Sequence, residues 1–226
     1  MIKARSPAEI VGRRVDFPGK VIADIGCGTG DFVRWMTQRG AKVTGVDTAE
    51  MIARAERYPR TGDESYRAGS AQDVEFEAGS LDLLTYIASF HHVPAPEMPR
   101  ALENCRRFLK PGGMAAFVEP MGREGSYFEI IRLIEDERDV QALAARAIAA
   151  AGSLGFSKVR KEVFYVERSL DDYAALLDLF VDDPGRRALT LETARSVTER
   201  MARDAGKTLK SFRYRSICRL DILRKT

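Results

Sequence analysis

A chain of 226 residues is long enough to bury about 70% of its unfolded surface in one core, and 45% hydrophobic with 31% charged residues excludes a disordered or fibrous protein. The 36 basic and 33 acidic residues leave a net charge of +3, too even a balance to argue for a nucleic-acid partner. No apolar run reaches the roughly 20 residues of a membrane span, and the opening MIKARSPAEIVGRR lacks the apolar stretch of a secretory signal. Three cysteines without metal-type spacing point to free thiols and an expected cytoplasmic location.

Short apolar runs alternate with helical patterns, the signature of a largely parallel α/β sheet. KVIADI (20–25) reads as a first strand, followed by a helix whose Phe32, Trp35 and Met36 share a face and which stops at Gly40. AKVTGVD (41–47) is a second strand, with Thr48 placed to cap the helix AEMIARAER. ESYRAG and SLDLLTYIA are a third and a fourth strand. In PEMPRALENCRRFLKPGG, Met98, Ala101, Leu102, Cys105 and Leu109 form one stripe, and Pro-Gly-Gly is expected to end the helix before a fifth strand, MAAFVEP.

Beyond residue 120 the pattern changes. Ser126 and Glu129 have capping-box spacing for a long helical stretch to about Ala151, in which EDERD is either a solvated face or a break between two helices. VRKEVFYVE is a sixth strand. SLDDYAALLDLFVDD and TLETARSVTERMARDAG read as two helices opened by Ser and Thr caps, a small helical insertion at about 169–206. Phe212, Tyr214, Ser216, Cys218, Leu220 and Ile222 then alternate as a last strand. With no repeat and no low-complexity linker, residues 1–226 are expected to form one domain. Cys27, Cys105 and Cys218 lack metal-ligand spacing and are expected to be buried free thiols.

The chemistry concentrates in VIADIGCGTGDF (21–32). Gly26, Gly28 and Gly30 let the backbone approach a ligand closely between a strand and a helix. A dinucleotide fingerprint would have its last glycine where Asp31 stands, and a carboxylate there repels a pyrophosphate. No Lys follows to make a phosphate loop. Asp24 before the loop and Asp47 at the end of the second strand suit a ribose and a cationic group. That charge logic selects S-adenosylmethionine, with its ammonium and sulfonium, over NAD.

ADIGCGTG, GVDTAEMIARA, RAGSAQDVEFEAGSLDLLTYIASFHHV and RFLKPGGMAAFVEP, in order over residues 20–120, resemble the successive motifs of the class I S-adenosylmethionine-dependent methyltransferases. The resemblance is to the small-molecule group that includes the ubiquinone/menaquinone-biosynthesis and trans-aconitate types. It implies a Rossmann-like seven-stranded sheet with its last strand antiparallel and helices on both faces. Residues 20–120 would hold the cofactor, and 121–226 would face the acceptor. It further implies that Asp24, Ile25, Gly26, Cys27, Gly28 and Gly30 surround the cofactor's amino-acid part. Asp47 and Thr48 would lie at the ribose, with Met51, Ser70, Ala71 and Gln72 near the adenine and Ile87 under the methionine. Ser70 stands where many relatives carry an acid.

An antiparallel last strand brings its beginning to the ligand rim. Arg213, Tyr214 and Arg215 are therefore expected there, with Arg123 after the fifth strand and Arg168 after the sixth, as candidates to clamp an anionic group. His91 and His92 are candidate general bases for a hydroxyl acceptor, and Tyr86 a hydrogen-bond donor at the rim. With no third ligand visible beside the histidines, no metal site is expected. The segment YIASFHHV lacks the Asn/Asp-Pro-Pro-Tyr type that grips a planar amine. The expected activity is methyl transfer to a small molecule, by a monomer or homodimer. A non-catalytic binder of the same cofactor and a NAD-dependent oxidoreductase are the alternatives.

Overall fold

The apolar runs become the strands of one mixed sheet in a computed structural model that describes residues 1–122 and 124–226. In chain order the elements are β1 (Ile2–Ala4), α1 (Pro7–Gly12), β2 (Val21–Ile25), α2 (Asp31–Thr37), β3 (Lys42–Asp47), α3 (Ala49–Ala55), β4 (Glu64–Ala68) and β5 (Leu81–Ile87). They continue with α4 (Met98–Phe108), β6 (Leu109–Pro120), α5 (Phe128–Ile131), α6 (Arg138–Ala150), β7 (Phe156–Arg168), α7 (Leu170–Phe180), α8 (Pro184–Asp204) and β8 (Tyr214–Lys225). The strand order is β1-β7-β8-β6-β5-β2-β3-β4. Strand β8 runs antiparallel to both β6 and β7, whereas the other pairings are parallel.

The central strands are buried on both faces, as parallel strands between helices must be. Ile10 and Val11 of α1 and Phe32, Val33 and Met36 of α2 pack with Ile22, Leu83 and Val118 on one face. Ala101, Leu102, Cys105 and Phe108 of α4 and Ala144 and Ile148 of α6 pack with Leu84, Tyr86 and Phe117 on the other. A third cluster joins Ile130 of α5, Tyr173 and Leu177 of α7, Ala194 and Ala202 of α8 and Tyr214 at the start of β8. The last link is the chain's own bond from Arg54 Nη1 to the Leu179 carbonyl, 3.0 Å, which ties the end of α7 to α3. Cys27, Cys105 and Cys218 are buried and free. Among the described residues, no helix is long and apolar enough to cross a membrane.

Four local expectations are corrected. The sheet has eight strands rather than seven, because Ile2–Ala4 pairs with Phe164–Val166 at an edge; three residues are too few for a period of two to be read. Helix α4 ends at Phe108, and Pro111-Gly112-Gly113 lie inside β6, next to a register shift between Leu81 and Leu83. Ser126 opens no long helix: its Oγ accepts from the Arg215 backbone N–H at 2.9 Å, and EDERD lies at a break between α5 and α6. Helix α8 starts six residues before Thr190, with Pro184 in its first turn and Asp183 Oδ1 accepting from the Arg186 N–H. Thr190 instead bonds back to the Arg186 carbonyl from inside the helix.

Candidate active site

The glycine loop is fastened to the end of β3 by backbone bonds. The Gly26 and Cys27 N–H groups both donate to the Val46 carbonyl, at 2.7 and 3.1 Å, and the Gly28 N–H donates to Asp47 Oδ2 at 2.8 Å. Asp47 Oδ1 accepts from the Thr48 N–H at 2.7 Å, and Thr48 caps α3 through the Met51 N–H. Gly26, Gly28 and Gly30 all have left-handed φ, +73°, +55° and +79°, a region that penalises any Cβ. Their surroundings differ. A Cβ on Gly26 would lie 2.3 Å from Ser89 Cβ, whereas one on Gly28 would meet, among the described residues, Met51 Cε alone, at 3.9 Å. Gly26 is thus a packing requirement. Gly28 leaves a cradle with open space above it, between the loop and α3. Beside it a cleft of about 480 Å³ opens between Thr29, Glu50, Arg54, Tyr58 and Leu179.

Asp24 is 2% exposed and turned into the sheet, where it accepts from Thr85 Oγ1 at 2.6 Å. Burial raises its pKa to about 7, aided by the nearby Asp47 and opposed by the Thr85 bond. Ile25 is buried beside it, and its carbonyl accepts from Ser89 Oγ at 2.6 Å. Cys27 is also buried, which pushes its thiol pKa up and leaves it no thiolate chemistry. Asp31 is engaged by Arg34 Nη2 at 2.6 Å and by Thr29 Oγ1 at 3.1 Å, so the start of α2 already carries an anion. Met51 is half-buried against the cradle. Ser70 Oγ donates to Asp73 Oδ2 at 2.8 Å in a turn that buries Ala71, and the Gln72 carbonyl accepts from Asn104. Asp73 therefore supplies an acid three residues after the position where one was missed. Ile87 ends β5 half-buried on the α1/α2 face.

After β5 the chain turns sharply. Ala88 has φ +53°, the one described non-glycine residue with positive φ, a strain of the kind that gathers at functional sites. The turn sends Ser89 onto the glycine loop and leads into a 3₁₀ turn, Phe90–His92. His91 is sealed in. Its Nδ1 lies 2.5 Å from Glu119 Oε2, its Nε2 lies 3.5 Å from Glu137 Oε2, and its side chain is 2% exposed. Burial alone would lower its pKa, but the bonds to Glu119 and Glu137 outweigh burial and raise it to about 9. His92 faces outward, 59% exposed, with Nε2 3.8 Å from Glu137 Oε1.

Tyr86 is not at the rim. It is 1% exposed between Phe90 and Phe117, and its hydroxyl lies 3.6 Å from Cys105 Sγ. Tyr214 is likewise corrected to a core residue, fully buried with its hydroxyl 2.5 Å from Thr198 Oγ1. Arg213 folds back to donate to the Lys210 and Phe212 carbonyls, and Arg215 lies exposed over the Tyr165 ring. Arg168 is half-buried near Tyr127, whose pKa burial raises to about 12 against the opposing effect of Arg168. Arg123 lies outside the described residues. Glu119, Glu137, Ser89 and Thr85 were missed from the sequence. Glu119 had a signal, an acid closing an apolar strand as Asp47 does; Glu137 had none, being one acid in a charged run.

Residues 23–117 match the family model described as a methyltransferase domain. The match covers less than half of the chain. The matched stretch holds the glycine loop, Asp47 and the turn after β5, and it ends just before Glu119. The chain is 35% identical over 107 residues to a ubiquinone biosynthesis O-methyltransferase of Pseudomonas paraeruginosa, covering 46% of this chain and 45% of that one. It is 32% identical over 126 residues to one from Xanthomonas oryzae pv. oryzae, covering 54% and 52%. The chain thus spans about half the length of the curated relatives it matches. The fold extends further. A SAM-dependent methyltransferase from Methanosarcina mazei superposes with a TM-score of 0.60 at 17% identity, over 96% of both chains. The cyclase SpnF does so with a TM-score of 0.65 at 18% identity, over 96% of this chain and 80% of that one.

Proposed function

We propose that the chain transfers a methyl group from S-adenosylmethionine to a small-molecule acceptor. The observation that carries this reading is the Gly26–Gly30 cradle, fastened to Asp47 and open above Gly28, within a stretch that matches a methyltransferase domain. In this reading β2 to β8 are the seven strands of the class I sheet, and β1 is an addition at its edge.

When bound, the cofactor supplies a methyl group already activated by its sulfonium. The residues' work is binding and placement. The carboxylate of Asp47 has lone pairs beyond the two it gives to backbone N–H groups, and these can accept from both ribose hydroxyls. Asp24 and Asp47 favour a cationic amino-acid end, while Asp31 disfavours a pyrophosphate. Met51, Ala71 and the Ser70–Asp73 turn would flank the adenine, and Ile87 the methionine chain.

On the acceptor side, Arg168 beside Tyr127 is the arginine best disposed to pair with an anionic group. A carboxylate acceptor needs no base, and rate then comes from positioning in a dry pocket. Of the two histidines expected as general bases, His92 alone keeps an exposed ring.

The test is a screen of small carboxylic acids and phenols with S-adenosylmethionine, reading S-adenosylhomocysteine by mass spectrometry. Acceptor-dependent product supports the reading. Binding of the cofactor without product from any acceptor would favour a non-catalytic binder of the same cofactor instead.

A further inference from the structure

The histidine pair meets a third ligand that arrives from the start of α6. We propose that His91 Nε2, His92 Nε2 and the Glu137 carboxylate form a binding site for a divalent metal ion of the zinc class. The three ligand atoms lie within 4.8 Å of one another, with Glu137 oxygens 3.5 Å from His91 Nε2 and 3.8 Å from His92 Nε2. In a tetrahedral zinc site with bonds of about 2.0–2.1 Å, ligand atoms stand roughly 3.3 Å apart. Rotation of the exposed His92 ring, with a small shift of Glu137, would bring the three ligand atoms from within 4.8 Å of one another to that spacing.

The surroundings are those of a metal ligand set rather than of a chance ion pair. His91 is held by its other nitrogen, Nδ1, against Glu119, which is itself fixed by the Phe90 N–H at 3.0 Å. A carboxylate on the far nitrogen fixes the ring and directs Nε2 at the metal, the arrangement that supports most metal-bound histidines. Glu137 is aimed in the same way: Gln141 Nε2 donates to its Oε2 at 3.1 Å, while Gln141 Oε1 accepts from the Gly122 N–H at 2.8 Å. The donor set of two imidazoles and one carboxylate suits zinc, cobalt and nickel better than magnesium or calcium, which prefer oxygen. The exposed His92 leaves one side open to solvent, so a fourth position remains for water or for an oxygen of an acceptor. The site lies on the loop that also presses Ser89 onto the glycine loop, but its existence does not depend on methyl transfer.

The experiment is titration of the full chain, produced without a polyhistidine tag and stripped with a chelator, with zinc chloride by calorimetry and with cobalt(II) by visible absorption. One equivalent of zinc should bind, and cobalt should give the intense bands of a four-coordinate site. His92→Ala and Glu137→Gln should each weaken zinc binding at least about tenfold, and Glu119→Gln by about ten- to a hundredfold through His91. His92 is exposed, so its replacement tests the site without risking the fold. No stoichiometric binding, or binding that His92→Ala and Glu137→Gln leave unchanged, overturns the proposal. Titrating the same preparations with S-adenosylhomocysteine keeps this outcome separate from the fate of the methyltransferase reading.

Discussion

Gly26 and Gly28 have nearly the same backbone conformation and opposite tolerances. Both carry left-handed φ, which costs about 1–2 kcal/mol for a residue with a Cβ. Gly26→Ala adds a collision with Ser89, whereas Gly28→Ala places its methyl in the open cradle. Gly28→Ala should therefore fold with a modest loss of melting temperature and bind S-adenosylhomocysteine at least about tenfold more weakly. Gly26→Ala should lose far more thermal stability. Melting curves and calorimetry on the two variants check this, and equal melting temperatures would contradict it.

Asp24 makes a second prediction at the same scale. Its carboxyl has a pKa of about 7 in the folded protein because it is buried, against about 3.9 in an unfolded chain. Below that lower value both states are protonated and its stabilising contribution is complete. As pH rises toward and through 7 the unfolded state loses the proton first, so the contribution is lost across that window. The ligand-free protein should thus lose urea stability between about pH 4.5 and 7, and Asp24→Asn, which can still accept from Thr85, should flatten that slope. A wild-type profile that rises through the window would contradict the burial of this acid.

At the scale of elements, the α7–α8 pair shows how sequence signals succeed and fail. Ser169 and Asp172 form the capping box that Ser-Leu-Asp-Asp announces, with reciprocal bonds between the two residues. Ser169→Ala should cost about 1 kcal/mol. Behind the cap, Tyr173 is fully buried, and among the described residues its hydroxyl has no partner. A buried unsatisfied hydroxyl is a cost, so Tyr173→Phe should leave stability unchanged or raise it. Chemical denaturation of both variants decides; a clear loss in Tyr173→Phe would mean that the hydroxyl is satisfied in solution.

Strands β2, β3 and β5 were legible because each is an apolar run ended by a glycine, an acid or a turn, whereas the start of β6 was hidden by Pro111-Gly112-Gly113. The left-handed loop was legible because glycine is the residue such φ values require. The start of α8 was missed because Asp183-Pro184 looks like the end of the preceding helix, and Thr190 offered a nearer cap. Tyr86 and Tyr214 were assigned to the rim because the sequence gives a residue's position along a strand, while burial is set by what packs on top. For Tyr214 that is α8, through Thr198.

Across the whole molecule, the antiparallel β8 brings together parts of the chain that are far apart in sequence. It closes the sheet between β6 and β7 and sets its own start, with α7 and α8, next to the end of β7. The cofactor-side motifs lie within residues 20–120 and were readable as motifs. In the proposed function the acceptor side would draw on Arg168 and Tyr127, which share no local pattern. The central claim is that the cradle fastened to Asp47 binds S-adenosyl compounds. Calorimetric titration with S-adenosylhomocysteine, comparing the wild type with Asp47→Ala, tests it most directly. A hydrogen bond to a charged group contributes about 1.5–3 kcal/mol, so the wild type should bind and the variant should bind about ten- to a hundredfold more weakly. No binding by the wild type, or equal binding by both proteins, would contradict the account.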